Sequence, residues 1–201
     1  MKISKKAFDV LMAMVILLAI APIMIITAII IAVFDGRPIL YVSERMKSTT
    51  DGFPLLKFRT MKPDLNDSGV SGGDKSDRIT KTGPFLRRTR LDETPQLFNI
   101  LAGHISFIGP RPPLRQYVER FPRIYEEVLK NKPGVSGIAS IYFHAHEEAL
   151  LSRSRSREET DRIYCDLCIP RKAQLDKLYS ENQSICFDVV LMFKTVFTKL
   201  R

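Results

Sequence analysis

A long apolar segment near the N-terminus constrains this chain more than any other feature. Nearly every residue from position 7 to position 34 is apolar, with Asp9 and Thr27 as the main exceptions. A helix of that length reaches roughly 40 Å at 1.5 Å per residue, which exceeds the ~30 Å hydrocarbon core of a bilayer. The run is also too long for the apolar part of a signal peptide, and no clear small-residue cleavage site follows it. The segment therefore predicts a helix held in a membrane.

Charges on both sides of this segment, and a proline inside it, indicate how the helix enters the membrane. Basic residues flank both ends: Lys2, Lys5, Lys6, Arg37, Arg45 and Lys47. Because basic residues accumulate on the cytoplasmic side of a membrane, both ends are expected to be cytoplasmic. Pro22 lacks a backbone donor and kinks a helix. We therefore predict a re-entrant helix-break-helix over residues 1–35, with the break at Pro22, against the alternative of one straight span.

A second membrane-like segment lies at positions 185–201. It is rich in Ile, Val, Leu, Met and Phe, with Lys194, Lys199 and Arg201 interspersed. This pattern is typical of an amphipathic helix at the membrane interface, although a helix packed on a protein core shows the same pattern.

The region between the two apolar segments, positions 36–184, is expected to form a small cytosolic catalytic domain. Apolar runs at 39–42 and 54–59 predict short strands, and most of the remaining sequence predicts helices. The fold class is therefore predicted to be α+β and mostly helical.

The net charge indicates which kinds of partner are suitable, and the cysteines indicate whether zinc sites or disulfides are expected. The net charge of +9 suits nucleic acid, anionic lipid or a phosphorylated substrate. No nucleic-acid-binding motif is visible, so no nucleic-acid partner is predicted. Cys165 and Cys168 form a C-x-x-C, but no second pair completes a zinc site, and three cysteines do not indicate a disulfide framework. Reduced thiols are the prediction.

Two adjacent carboxylates are the strongest candidates for chemistry. Asp92 and Glu93 follow three arginines, at 87, 88 and 90, and precede a helix predicted to begin at Pro95. Arginines and a helix N-terminus both favour an ionised carboxylate. Such a carboxylate can attack phosphorus to give an acyl phosphate, and its neighbour can hold a divalent cation. The alternative from these residue types is that Asp92 caps the helix while Glu93 pairs with an arginine.

Further candidates lie elsewhere in the middle region. Arg111 stands between two prolines, which hold the backbone extended and suit a fixed guanidinium that binds phosphate. Arg59 is a weaker candidate. His144 and His146 lack obvious partner ligands and are predicted not to bind metal.

Taken in order, the motifs resemble the bacterial sugar transferase family, and in particular its small monotopic phosphoglycosyl transferases. The resemblance covers nearly the whole chain and is carried by six motifs after the apolar segment. They are KFRTM at 57–61, DRIT at 77–80, GPFLRRT at 83–89, LDETPQLFN at 91–99, SFIGPRP at 106–112 and KPGVSG at 132–137.

The resemblance implies a role for each candidate residue. Asp92 corresponds to a nucleophile that forms a covalent phosphosugar intermediate and releases UMP, and Glu93, together with Asp92, to a Mg²⁺ site. Arg59, Arg87 and Arg111 correspond to basic residues that hold substrate phosphates. The implied donor is a UDP-sugar, expected to carry an N-acetylated amino sugar, and the implied acceptor is undecaprenyl phosphate.

The implied location is the cytoplasmic face of the bacterial inner membrane, in contact with membrane lipids. Whether the protein forms a homodimer is left open. This sequence departs from the family at Ala21-Pro22, where the family has Ser-Pro, and at positions 138–144. The second departure leaves the sugar undetermined. Three alternatives remain: a nucleotide-sugar phosphohydrolase, a non-catalytic membrane-tethered module, and a transferase in which the lipid phosphate attacks directly.

Overall fold

The computed structural model describes residues 3–64, 69–70 and 72–197. In this part of the chain ten α-helices and four strands form one mostly helical α+β unit, which confirms the predicted class. The helices are α1 (Ile3–Phe34), α2 (Gly83–Thr89), α3 (Gln96–Leu101), α4 (Arg115–Arg120), α5 (Pro122–Val128), α6 (Ile138–Tyr142), α7 (His144–Leu151), α8 (Arg157–Ile163), α9 (Ile169–Glu181) and α10 (Ile185–Phe197). The strands are β1 (Leu40–Met46), β2 (Gly52–Phe58), β3 (Ser106–Ile108) and β4 (Gly134–Ser136).

Helix α1 lies along the rest of the protein for its whole length. One stripe of its surface is buried, at positions separated by whole numbers of helical turns, one in most cases and three between Ala13 and Met24: Lys5, Asp9, Ala13, Met24, Thr27 and Ile31. The other side exposes large apolar side chains such as Leu18, Ile25 and Val33. By length and composition, Ser4–Phe34 could cross a membrane. The predicted helix is confirmed, and its exposed face suits a membrane anchor.

The predicted break at Pro22 does not interrupt α1. The helix is continuous from Ile3 to Phe34, with Pro22 inside it. The re-entrant path and the side of the membrane on which the domain lies stay predictions.

The first turns of α1 are fixed by buried polar contacts. The Lys5 ammonium forms an ion pair with Asp188 of α10 and donates hydrogen bonds to the Ile108 carbonyl at 3.2 Å and to the Tyr179 hydroxyl at 3.1 Å. One turn later, Asp9 accepts a 2.7 Å hydrogen bond from the Ser106 hydroxyl. Burying these groups is tolerable only because each has a partner.

The C-terminal end of α1 is held by the same domain. The Arg59 guanidinium, at the end of β2, donates to the carbonyls of Asp35 and Gly36 at 2.7 Å and of Pro38 at 2.5 Å. The Asp35 carboxylate accepts hydrogen bonds from the backbone of Lys81, at 3.0 Å, and from the Thr82 hydroxyl. Carbonyls at a helix C-terminus carry partial negative charge, so a guanidinium is a favourable partner there.

Two small sheets complete the frame of the domain. β1 and β2 form an antiparallel hairpin with Leu40 opposite Phe58. β3 and β4 are parallel, with Ser106 opposite Gly134. This pairing needs glycine, because a Cβ at Gly109 would lie 2.3 Å from the Lys132 carbonyl oxygen. Helix α10 packs Leu191 against this sheet, as expected for a core-facing helix, while Val190 and Phe193 stay exposed. Its place at a membrane interface stays a prediction, and Lys199 and Arg201 lie outside the described residues.

A buried carboxyl group on α9 ties the stability of this fold to pH. Asp176 is buried, and its Oδ1 has no hydrogen-bond partner among the described residues. Burial raises its pKa from 3.8 to about 7, against the attraction of Lys172, while Glu147 raises it further. Lys172 itself donates to Glu147 at 2.8 Å and to the Tyr164 hydroxyl at 3.3 Å. The neutral form of Asp176 is therefore the one that suits the core.

Asp176→Asn should accordingly stabilise the protein at pH 8. A carboxyl with a raised folded-state pKa favours folding most below 3.8 and loses that contribution as the pH rises towards 7. The substitution is expected to raise the unfolding free energy by about 1–4 kcal/mol at pH 8 and by less at pH 5. Calorimetric melting of both proteins at the two pH values checks this. Glu181→Gln, on an exposed position of the same helix, should show no such pH-dependent gain.

Candidate active site

The two candidate carboxylates lie in a tight connection between two short helices. Helix α2 ends at Thr89, and Arg90 follows with a φ of +56°, in the left-handed region that non-glycine residues rarely adopt. A 3₁₀ turn, Leu91–Glu93, then carries Asp92 and Glu93 towards the start of α3. Strained backbone of this kind persists where the surroundings enforce it, and functional sites are common among such places.

Glu93 is clamped by three cations. Its Oε1 accepts hydrogen bonds from Arg111 at 2.8 Å and from Lys57 at 3.0 Å, and its Oε2 accepts one from Arg90 at 3.2 Å. Burial alone would raise the pKa of Glu93, but these three charges together hold it well below the usual range. Glu93 in turn raises the pKa of the Arg111 guanidinium. The result is a permanently ionised carboxylate that fixes the positions of the cations.

Asp92 has a different environment. It is 8% exposed, and no described residue donates a hydrogen bond to its carboxylate. Burial and the charge of Glu93 raise its pKa, while Lys57, Arg111 and Arg87 oppose the shift. The alternative that Asp92 caps the next helix is wrong, because α3 has no side-chain cap. The other half of that alternative, pairing of Glu93 with arginines, is confirmed.

The two adjacent carboxylates therefore lie in different environments. Glu93 is ionised and holds three cations, whereas Asp92 is nearly inaccessible and has no hydrogen-bond donor among the described residues. Environments that push the pKa values of neighbouring acids apart are typical of acid–base and nucleophilic sites. A carboxylate with few hydrogen bonds is the better nucleophile of such a pair, since its lone pairs are not engaged.

The predicted arginines differ in their placement. Arg111 reaches Glu93 and keeps about a third of its side chain exposed, so it can also contact a ligand. Arg87 donates to the Thr60 hydroxyl at 3.1 Å, and its charge acts on Asp92. Arg59 instead uses its hydrogen bonds at the end of α1, so its predicted contact with substrate phosphate remains a prediction.

Lys57 and His144 were not predicted from the sequence to belong to the site, whereas Arg90 is one of the three arginines expected beside the carboxylates. Lys57 and Arg90 complete the clamp. Burial lowers the pKa of Lys57, Glu93 opposes this shift, and Arg111 adds to it. Burial and the charges of Arg90 and Arg111 lower the pKa of His144, the first residue of α7. The last residue of the segment that departs from the family motif therefore lies close enough to the site for the charges of Arg90 and Arg111 to act on it.

Metal ligands are sparse in this region. Among the residues described here, no group of three His, Cys, Asp or Glu could hold a metal ion. That His144 and His146 do not bind metal stays a prediction. Cys165 and Cys168 are buried free thiols. Magnesium, however, often uses only one or two carboxylates and takes its other ligands from substrate phosphates and water. Asp92 and Glu93 fit that donor set, with Asp92 the more available of the two.

The sequence of this chain is similar to those of one known protein family. The model of the bacterial sugar transferase family matches residues 1–201. The UDP-glucose:undecaprenyl-phosphate glucose-1-phosphate transferase of Escherichia coli K12 is 32% identical, over 98% of this chain and 40% of its own length. The UDP-N-acetylgalactosamine-undecaprenyl-phosphate N-acetylgalactosaminephosphotransferase of Aeromonas hydrophila is 31% identical, over 98% and 43%. The exopolysaccharide production protein PSS of Rhizobium leguminosarum bv. phaseoli is 34% identical, over 98% and 94%.

The lengths of these relatives differ. The chain spans about two fifths of the length of the first two proteins and nearly all of the third. The matched part includes Asp92 and Glu93, because both lie far from the ends of the chain and the match covers 98% of it in all three cases.

Proposed function

The chain belongs to the bacterial sugar transferase family, and on that premise we propose that it moves a sugar 1-phosphate from a UDP-sugar to undecaprenyl phosphate, releasing UMP. The observation that carries the proposal is the unequal carboxylate pair, with Glu93 clamped by three cations and Asp92 left free beside it. The donor and the acceptor both carry phosphates, which suits a site with four cations, Lys57, Arg87, Arg90 and Arg111, around two carboxylates.

The proposed reaction has two displacements at one phosphorus. An Asp92 oxygen attacks the phosphorus that bears the sugar, the bond from that phosphorus to the bridging oxygen breaks, and UMP leaves with the bond's electron pair. An oxygen of undecaprenyl phosphate then attacks the same phosphorus and releases the Asp92 carboxylate. Positioned cations stabilise the charge that develops on the phosphate oxygens in both steps.

Three residues would divide this work. Arg111 can hold a phosphate oxygen with the exposed part of its guanidinium, since Glu93 fixes the rest. Lys57 and Arg87 lie where their charges favour the ionised form of Asp92. A magnesium ion held by Asp92, Glu93 and the donor would neutralise the diphosphate and polarise the bond that breaks.

The contacts of α1 support a monotopic arrangement. A straight helix of 32 residues is about 48 Å long. If α1 crossed the membrane, its two ends would lie on opposite sides of the bilayer. Both ends are bound to the same polar domain, through Lys5 and Asp9 at the start and through Arg59 and Asp35 at the end. With basic residues on both flanks, the proposed location is the cytoplasmic face of the inner membrane, with the exposed apolar side of α1 in lipid.

The test is UMP release from a panel of UDP-sugars with magnesium, with and without undecaprenyl phosphate. The panel should place UDP-glucose beside UDP-N-acetylated amino sugars, because the names of the relatives contain both kinds of sugar. We expect sustained release from at least one donor, only when the lipid is present. Sustained release without lipid would make the protein a nucleotide-sugar phosphohydrolase. Release from no donor, with the protein folded, would leave a non-catalytic membrane-tethered module.

A further inference from the structure

An apolar groove is lined by the two elements, β2 and the start of α3, that also border the candidate active site. It has a volume of about 410 Å³ and is bounded by α1, the β1–β2 hairpin and the start of α3. All of its ten lining residues are apolar, among them Ala21, Ile25 and Ala28 of α1, Phe58 of β2, and Pro95 and Phe98 at the start of α3. Phe98 and Ile25 are well exposed, so the groove opens on the apolar face of the protein.

The groove and the charged cluster share the same two structural elements. Neighbouring residues of a strand point to opposite sides, so Lys57 reaches Glu93 while Phe58 packs towards α1. In the same way, Glu93 precedes Pro95 by two positions, and the first turn of α3 then carries Phe98 into the groove wall. Alternation thus puts the two regions on opposite sides of β2, and the connection from Glu93 to Phe98, which contributes to both, is where a ligand with a charged head and an apolar tail would contact both.

Charge and shape together select the occupant. The cluster has four cations, Lys57, Arg87, Arg90 and Arg111, against the carboxylates of Asp92 and Glu93, so a surplus of positive charge faces a phosphate head. The groove offers no polar partner and suits a hydrocarbon chain. It also adjoins the exposed apolar side of α1, which gives a membrane-dissolved ligand a lateral route without leaving lipid.

We propose that this groove binds the first isoprene units of the polyprenyl phosphate acceptor and so sets the position of its phosphate beside Asp92. The proposal rests on the proposed function, because it assigns the tail of the same acceptor. It makes Ala21 and Ala28 determinants of acceptor binding, since their small side chains leave the space that the chain would fill.

The first experiment fills the groove. In nanodiscs, Ala28→Phe in the full chain should weaken binding of undecaprenyl phosphate about tenfold or more, because the new ring takes the place of buried chain carbons. Ile29→Phe adds the same ring to an exposed position outside the groove and should bind as wild type does. Binding is measured by displacement of a fluorescent polyprenyl phosphate, which needs no turnover.

A second variant guards against a folding defect. Phe98→Ala removes an exposed wall of the groove without adding bulk, and its acceptor KM should also rise, while its KM for the UDP-sugar stays near that of wild type. Unchanged binding in Ala28→Phe together with an unchanged acceptor KM in Phe98→Ala would overturn the groove assignment. Equal displacement by a phospholipid such as phosphatidylglycerol would also overturn it, since the groove would then be a general lipid contact. Failure of the proposed function looks different, because wild type would then release no UMP in response to the lipid.

Discussion

Asp92→Asn is expected to abolish sugar-phosphate transfer without loss of stability. Asparagine keeps the size of the side chain but cannot form an acyl phosphate, so lipid-dependent UMP release should fall at least about 10³-fold. The pKa of Asp92 is raised by burial and by Glu93, so its charge opposes folding at neutral pH. The variant should therefore melt at or above the wild-type temperature at pH 8.

Intact-mass analysis after exposure to the UDP-sugar alone distinguishes the mechanisms. Wild type should gain the mass of one phosphosugar, and Asp92→Asn should gain none. Asp51→Asn, at an exposed position, serves as the matched control and should keep both the adduct and the activity. Turnover that survives in Asp92→Asn would remove this residue as nucleophile, and full turnover without any adduct on wild type would favour direct attack by the lipid phosphate.

The sequence is sufficient to find the two candidate carboxylates because they are neighbours in the chain. Asp92 and Glu93 follow a run of arginines and precede a proline-started helix, and this local pattern needs no tertiary information. The apolar helix and the strands β1 and β2 are equally local, since each depends on a continuous run of suitable residues. These parts of the fold were predicted correctly.

The clamp around Glu93 could not be predicted in the same way. Lys57 lies 36 residues away in sequence, and only the packing of β2 against the 3₁₀ turn brings it to Glu93. Arg59, two positions further along, reaches the end of α1 instead. Alternation would place residues two positions apart on the same side of a strand, but β2 ends at Phe58, before Arg59, and the sequence does not reveal this end point or what packs around it.

Two short strands were also missed. The sequence predicts strands only at 39–42 and 54–59, yet Ser106–Ile108 and Gly134–Ser136 pair in a parallel ladder. Strands of three residues have no measurable periodicity, so tertiary contact decides them. Proline sets another boundary: α4 ends at Arg120 and α5 begins at Pro122, because proline lacks the donor that a continuing helix needs.

Lys5→Met is expected to destabilise the protein by about 3–5 kcal/mol, the usual result of leaving one partner of a buried ion pair alone. Lys5 and Asp188 are both nearly inaccessible, and the ammonium also satisfies the Ile108 carbonyl and the Tyr179 hydroxyl. Methionine would fill the space of the aliphatic stem but leave the Asp188 charge with less compensation. Thermal or denaturant unfolding in detergent measures the loss.

Lys6→Met is the matched control for this change. Lys6 is adjacent and exposed, so the same substitution there should alter stability by less than about 0.5 kcal/mol. Adding Asp188→Leu to Lys5→Met removes the unpaired charge and should recover much of the loss, which a lost helix–membrane contact would not do. Equal effects at positions 5 and 6 would contradict the buried pair.

The Lys5 result also bears on the membrane topology. If α1 crossed the bilayer as a straight span in the cell, the ion pair with α10 could not form there, and Lys5→Met would change stability no more than Lys6→Met when both are measured in native membranes. If α1 is monotopic, as proposed, the loss should be as large in membranes as in detergent. It should also increase hydrogen exchange in α10 around Asp188, because the N-terminal turns of α1 cover that helix. One pair of adjacent lysines thus tests both the packing of the apolar helix and the side of the membrane on which it begins.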